Sequence, residues 1–201
     1  MNKTMIFLSA SIPIKGREYY GTANIPAIRE AVMAFTKVCM DFKLPFYFGG
    51  HPAISPLVYQ IAKEYGGDFA TNVKIYQSMW FHGLTPPEVE YYQNIVWTDK
   101  KEDLGKSLLH MRVQMFTNPT NCAVFIGGMN GIIDEATMLH KMKPNIKLLP
   151  ITNTGGACAD LMKIADIKCD PFPVNDYSFA YTYLFKEYLK QFLLIYILRT
   201  S

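Results

Sequence analysis

Four short segments are rich in glycine, serine or threonine, and each follows an apolar run. They span residues 9–13, 49–52, 127–131 and 152–156. Glycine lets a ligand approach the backbone closely, and the N–H groups at the start of a helix attract anions. Hydroxyl groups at the same level can bind phosphate or ribose oxygens. A single segment of this kind is more typical of a plain tight turn, but four of them together favour a nucleotide site.

The residues expected to touch such a ligand lie in these segments or close to them. The candidates are Ser9, Ser11, Arg17, Gly50, His51, Gly127, Gly128, Met129, Gly131, Glu135, Thr154, Gly155 and Gly156. Arg17 would meet a phosphate while Tyr19 and Tyr20 stack on a base, or this loop would only pack its tyrosines on a neighbour. His51 is either a ligand contact, fixed between glycine and proline at a strand end, or a structural histidine.

Several common sites are excluded because their motifs are missing. The chain contains neither G-x-G-x-x-G nor G-x-x-x-x-G-K-[ST], which argues against an ordinary NAD dehydrogenase and a P-loop NTPase. His82, His110 and His140 have no metal-ligand spacing with cysteine or carboxylate residues, and no Ser-His-Asp order is visible. We therefore predict neither a cofactor nor a metal.

The composition narrows the class of protein further. Half of the 201 residues are apolar and 18% are charged, which is typical of one globular domain. A formal charge of +3 is too small to predict nucleic-acid binding, although it suits a small anionic ligand. Four cysteines without a C-x-x-C pair indicate reduced thiols in the cytoplasm. The uncharged run at 191–198 is far shorter than the roughly 20 residues of a membrane span, so we expect a docked or dimer-forming helix there and no membrane partner.

Short β-like runs alternate with amphipathic stretches along the chain. We predict strands over 4–10, 45–48, 73–77, 94–98, 122–126 and 146–151. We predict a helix that starts at about 24, helices over 54–65, 101–116, 131–142 and 156–165, and a last helix from about 176 to 198. This order predicts a single α/β domain, Rossmann-like, with a parallel sheet and helices on both faces. Ligands of such folds bind at the carboxyl ends of the strands, where the four segments fall.

Two stretches resemble a known family. Residues 110–115 (HMRVQM) and 123–135 (AVFIGGMNGIIDE) are similar to the arginine helix and the glycine-to-glutamate motif of the LOG proteins. The chain is thus identified as a member of the SLOG superfamily (Smf/DprA and LOG), whose fold is Rossmann-like. The sequences of residues 49–57, 125–135 and 149–157 are most similar to those of the branch found beside Sir2 and TIR domains in bacterial antiviral systems such as Thoeris. That branch implies a sensor of nucleotide signals related to cyclic ADP-ribose.

The resemblance also implies roles for two residues. If the protein is an enzyme, Glu135 would be the catalytic carboxylate and Arg112 would hold a phosphate or leaving group, as in LOG proteins, which release the base from a nucleoside monophosphate. Two residues, Met129 and Asn130, replace the single residue of the LOG motif, and Ile132 stands where LOG proteins have threonine. Arg112 also lies one residue nearer to the following methionine than in LOG proteins, a rotation of about 100° on a helix.

Other roles for the same two residues remain open. Glu135 would otherwise be a first-turn carboxylate or a ribose-hydroxyl acceptor, and Arg112 would pair with Asp103 or another carboxylate. We expect a module that binds ADP-ribose or cyclic ADP-ribose as a sensor or sequestering protein, with an N-glycosidase as the alternative. The resemblance further implies a homodimer or higher homo-oligomer and leaves room for a separate effector chain.

Overall fold

The computed structural model describes residues 4–172 and 179–200 and contains one six-stranded sheet. The strands are β1 (Met5–Ser11), β2 (Phe46–Gly49), β3 (Val73–Ser78), β4 (Ile95–Thr98), β5 (Thr120–Gly127) and β6 (Lys147–Ile151). The helices are α1 (Ile25–Asp41), α2 (Ser55–Ala62), α3 (Gly67–Asn72), α4 (Leu104–Met115), α5 (Asn130–Met142) and α6 (Tyr181–Thr200). All strand pairs are parallel, in the order β4-β3-β2-β1-β5-β6, which confirms the predicted Rossmann-like α/β fold.

Local signals start the helices that flank the sheet. The Asn24 side chain accepts a hydrogen bond from the backbone N–H of Ala27, and Pro26 occupies the first turn of α1. Asp103 does the same for α4, because its Oδ1 accepts from the N–H of Lys106 at 2.7 Å. Each cap satisfies a backbone donor that has no partner within the helix. Asp103 is therefore a helix cap, and it is not the ion-pair partner of Arg112.

The core lies in two layers on opposite faces of the sheet. On one face, Phe35 of α1 packs edge-on against Phe46 of β2 and Phe185 of α6, with ring centroids 5.2 and 5.6 Å apart. On the other face, Phe7 and Phe125 lie under α4 and α5. The last helix packs against α1, which is one of the two roles predicted for it, and its role in dimer formation stays a prediction. No helix in the described part of the chain is long and apolar enough to cross a membrane.

Two predicted helices differ from the structure. The segment after β6 forms a 3-10 helix over Gly156–Lys163, whereas an α-helix was predicted over 156–165. Gly155 and Gly156 both have positive φ, and the N–H of Ala157 donates to the carbonyl of Gly128, so tertiary contacts fix the entry of this segment. The last helix begins at Tyr181, and its predicted start at 176 lies outside the described residues. The short helix α3 was not predicted.

The strand order places the candidate turns side by side. The chain runs from β1 outward to β2, β3 and β4 on one side, then returns to β5 and β6 on the other. The connection reverses direction next to β1, and in open α/β sheets a crevice forms at such a point outside the carboxyl ends of the strands. Ser11 at the end of β1 is in register with Gly127 at the end of β5.

Candidate functional site

A cavity of about 340 Å³ opens at the carboxyl edge of the sheet. Its volume lies within the range of roughly 300–1,000 Å³ that small-molecule sites occupy. The ends of β1, β2 and β3, the start of α5 and one face of α4 form its walls. The predicted site residues that line it are Ser9, Ser11, Arg17, Gly50, His51, Arg112, Met129, Gly131 and Glu135. Residues from distant parts of the sequence are thus brought to one place.

Glu135 is held on both of its carboxylate oxygens. The hydroxyl of Ser9 donates to Oε2 at 2.5 Å, and Nε of Arg112 donates to Oε1 at 3.2 Å. Both charged side chains are largely buried, with 16% of Glu135 and 15% of Arg112 exposed. Two hydrogen bonds from different elements fix the orientation of the carboxylate at the cavity wall, although each carboxylate oxygen keeps further acceptor capacity.

Arg112 makes two additional contacts. Its Nη1 lies 3.2 Å from Oδ2 of the exposed Asp134, and its Nη2 lies 3.4 Å from the carbonyl oxygen of Gly131. A Cβ atom at position 131 would lie 2.9 Å from Nη2, so glycine there makes room for the guanidinium. The predicted one-residue rotation relative to LOG proteins therefore does not separate Arg112 from Glu135. The charge of Arg112 is shared between two carboxylates.

Burial dominates the acidity of Glu135. It raises the pKa of the Glu135 carboxyl above its ordinary value, because the ionised form loses hydration. The charge of Arg112 and the hydrogen bond from Ser9 lower this pKa and offset part of the rise, while Asp134 adds a smaller increase. A carboxyl with a raised pKa beside an arginine is an arrangement that acid–base catalysis also uses.

His51 lines the cavity and also stabilises its own turn. Its Nδ1 accepts a hydrogen bond from the backbone N–H of Ala53 at 3.2 Å, so the proton of the neutral ring lies on Nε2. Burial lowers the pKa of His51 to about 4, and the ring is therefore neutral near pH 7. It offers a ligand a neutral hydrogen-bond donor and no positive charge.

A protein-family model described as the SLOG cluster3 family matches residues 18–189. The chain belongs to this family. The match confirms the SLOG superfamily inferred from the two sequence stretches. The X-ray structure of TM1055, a target of the Northeast Structural Genomics Consortium, is similar in fold: its TM-score is 0.61 at 13% identity, over 94% of this chain and 99% of that one. No curated protein matches the chain.

In this SLOG cluster3 chain, five predicted ligand-binding residues do not line the cavity. They are Gly127, Gly128, Thr154, Gly155 and Gly156. The N–H of Gly127 donates to the hydroxyl of Thr154 at 2.8 Å, and that of Gly128 to the carbonyl of Ser11 at 2.9 Å. The amides of Gly155 and Gly156 donate to Thr152 and Thr22. Each of these four glycine amides therefore already donates to a partner within the protein.

The loop after β1 also contains both residues that line the cavity and residues that do not. Arg17 lines the cavity and is exposed, and it forms no ion pair with any described residue. Tyr19 and Tyr20 lie outside the walls, and the carbonyl of Tyr19 instead accepts hydrogen bonds within its own turn. The expected stacking of these tyrosines on a base is not supported, whereas Arg17 is placed where it can meet an anion.

Sequence patterns did not identify one side of the SLOG cluster3 cavity. This side comes from the end of β3, from the connection between β3 and β4 and from α4. Its residues are Gln77, Phe81, Leu84, Thr85, Pro86, Leu108 and Met111. No glycine-rich turn follows β3, so the strand-end pattern that identified the other turns could not find it. The helical spacing of α4 predicted Leu108 and Met111 as apolar positions, but not that they face a cavity.

Proposed function

We propose that this SLOG cluster3 protein binds a nucleotide-derived small molecule of the ADP-ribose or cyclic ADP-ribose type, as a sensor or a sequestering module. The observation that carries the proposal is the buried Glu135, held by Ser9 and Arg112 in the wall of a cavity of about 340 Å³. A fixed carboxylate with unused acceptor capacity suits the paired hydroxyls of a ribose. The family match supports a nucleotide-related ligand.

The charges around the cavity assign the phosphates and the ribose of the ligand to different ends of the cavity. Arg112 is neutralised by its two carboxylate partners, whereas Arg17 has no ionic partner among the described residues. Met129 and Gly131 also bring the N-terminal end of α5 to the wall, where the helix dipole favours negative charge. Arg17 and this helix end would receive the phosphates, and Glu135 would receive the ribose.

The remaining walls suit a flat apolar group. Leu84 and Pro86 from the connection after β3 face the same cavity as Leu108 and Met111 of α4. Leu84 lines the cavity and is 75% exposed, so it is accessible to a ligand. A purine ring placed among these side chains would bury apolar area on both faces.

Isothermal titration calorimetry with ADP-ribose, cyclic ADP-ribose, NAD and nucleoside monophosphates tests the proposal. We expect binding of at least one ADP-ribose derivative, and a loss of roughly tenfold or more in affinity for Glu135→Gln, since a charged hydrogen bond is worth about 1.5–3 kcal/mol. Asp134→Asn is the matched control, because Asp134 also touches Arg112 but lies outside the cavity wall.

A second pair of variants separates the phosphate end from the ribose end. Arg17→Ala should weaken the binding of phosphate-containing ligands and make that binding less sensitive to salt. Lys15→Ala removes an exposed charge from the same loop without changing the cavity wall, and it should bind as the wild type does. Absence of heat and of any thermal shift with every nucleotide in the panel would refute the proposal.

A nucleotide N-glycosidase is the second candidate, and the contact between Arg112 and Glu135 favours it. An ionised Glu135 would stabilise positive charge on the sugar or activate water as the bond to the base breaks, and Arg112 would orient Glu135. Chromatography of the products would show free base and the ribose phosphate. Turnover that survives in Glu135→Gln would exclude this carboxylate from the reaction, and turnover by neither protein leaves binding as the function.

Several finer expectations belong to the same proposal. The resemblance in the sequence implies a homodimer or higher homo-oligomer and the branch associated with Sir2 and TIR domains, and it leaves room for a separate effector chain. The cysteine content indicates a cytoplasmic location. Light scattering at micromolar concentration tests the dimer directly. Mass spectrometry of a co-purifying small molecule would test the ligand class without any choice of panel.

A further inference from the structure

Gln77 places a buried amide at the floor of the cavity. Side chains alternate between the two faces of a strand, and Val73 and Ile75 of β3 lie in the core layer next to α1 and α2. Gln77 continues this row at the carboxyl end of β3 and lines the cavity, with only 3% of the residue exposed. A glutamine therefore occupies a position that the strand pattern would fill with an apolar residue.

The amide of Gln77 has no partner among the residues that the structure describes. Its backbone carbonyl accepts a hydrogen bond from the hydroxyl of Thr98 at 3.4 Å, but its side chain makes no hydrogen bond there. The atoms of this amide are not among the fully buried side-chain atoms without a partner, which in the described residues are Ser55 Oγ and His140 Nδ1, so the amide remains open to the cavity. A donor and an acceptor that are held at a cavity wall without a protein partner are available to a ligand that enters.

Gly50 allows the amide to reach this position. The N–H of Gly50 donates to the carbonyl of Tyr76 at 2.7 Å, which holds the turn after β2 against β3. A Cβ atom at position 50 would lie 2.2 Å from Nε2 of Gln77, well inside the contact distance. The glycine at the end of β2 is thus explained by its neighbour on β3, which needs the space above the backbone.

We propose that Gln77 determines the base specificity of the site by binding the hydrogen-bonding edge of an aminopurine. This inference rests on the proposed function and names the part of the ligand that the end of β3 recognises. A primary amide presents a donor and an acceptor side by side, and adenine presents the complementary pair through its amino group and a ring nitrogen. An uncharged amide gives no advantage to a phosphate, which Arg17 serves better.

Calorimetry with two ligands tests this assignment. One is ADP-ribose, and the other is its analogue in which the purine carries hydrogen in place of the 6-amino group. The wild type should prefer ADP-ribose by roughly tenfold to a hundredfold, as expected for a paired amide and adenine edge. Gln77→Met keeps the length of the side chain and suits the apolar row, so the variant should fold and bind both ligands equally. Gln93→Met alters an exposed glutamine outside the cavity and should keep the preference.

The outcomes separate this inference from the proposed function. If the wild type binds ADP-ribose and Gln77→Met keeps the same preference, the role of Gln77 is refuted while nucleotide binding stands. If the wild type binds neither ligand, the assignment of Gln77 is refuted, and the proposed function fails with it only when the rest of the nucleotide panel also gives no heat. The side-chain N–H₂ signals of Gln77 in the wild-type NMR spectrum give a second measurement, since they should shift on binding ADP-ribose and shift much less with the analogue.

Discussion

The buried contact between Arg112 and Glu135 makes a strong prediction about stability. Arg112→Met removes the cation and leaves the Glu135 carboxylate in a site where about one sixth of it is exposed. Breaking a fully buried ion pair costs about 3–5 kcal/mol, so we expect a loss of about 2–3 kcal/mol near pH 8 for this partly exposed pair. For a chain of this size that corresponds to a fall in melting temperature of roughly 5–10 °C.

The loss should depend on pH in a defined direction. Burial raises the pKa of Glu135, and removing Arg112 raises it further, because the arginine lowers this pKa in the wild type. The folded variant then binds more protons than the unfolded chain over the range above the ordinary carboxyl pKa. Its free energy of unfolding therefore falls as pH rises, and most of the loss should disappear near pH 5.

Urea unfolding, followed by circular dichroism from pH 5 to pH 8, measures both effects. Arg112→Met combined with Glu135→Gln should recover much of the stability at pH 8, since the unpaired charge is gone. Asp134→Asn breaks the exposed contact and should cost about 0.5 kcal/mol or less. A loss for Arg112→Met that does not change with pH, or one equal to that of Asp134→Asn, would refute the reasoning.

Three further variants test the turns at the strand ends. The pKa of His51 is lowered to about 4 in the folded protein, so the unfolded chain takes up a proton at higher pH and the His51 contribution to stability should fall as pH drops from 6.5 to 4. This contribution is at most about 3 kcal/mol. His51→Asn should remove it, as measured by urea unfolding across that pH range. Gly50→Ala should displace the Gln77 amide and weaken ADP-ribose binding in calorimetry by roughly tenfold or more. Gly155→Ala should lower the free energy of unfolding by about 2 kcal/mol or more in thermal or urea unfolding, because φ is +66° there and the new Cβ would lie 2.0 Å from the carbonyl oxygen of Thr22.

Each of these variants has a matched control or a contradicting result. Gly67→Ala adds its Cβ in open space away from the cavity wall, so nucleotide binding should change little. Gly66→Ala also has positive φ but opens into free space, and it should cost about 1 kcal/mol of strain, clearly less than Gly155→Ala. Equal effects within either glycine pair would contradict the model of the turns. An equal change in stability between pH 6.5 and 4 for the wild type and His51→Asn would contradict the burial of His51.

Much of the architecture could be predicted from local patterns. The apolar run of β5 and the spaced apolar residues of α1 each specify one element, because periodicity depends on neighbouring residues alone. Asn24 caps α1, which agrees with the predicted start of this helix at about 24. Local patterns did not predict the conformation of Gly156–Lys163, because hydrogen bonds to Thr22 and Gly128, which are remote in sequence, hold the start of this segment.

The sequence by itself determined the alternation of strands and helices, the edge of the sheet that carries the site, and the candidate pair Arg112 and Glu135 through a family motif. Only the tertiary structure decided which polar groups remain available at that edge. The backbone N–H of Gly127 already donates to the hydroxyl of Thr154, whereas the side-chain amide of Gln77 extends over Gly50 to the cavity. Hydrogen-bond partners from separate strands are fixed by the way in which the strands pack side by side, and no local spacing in the chain encodes that arrangement.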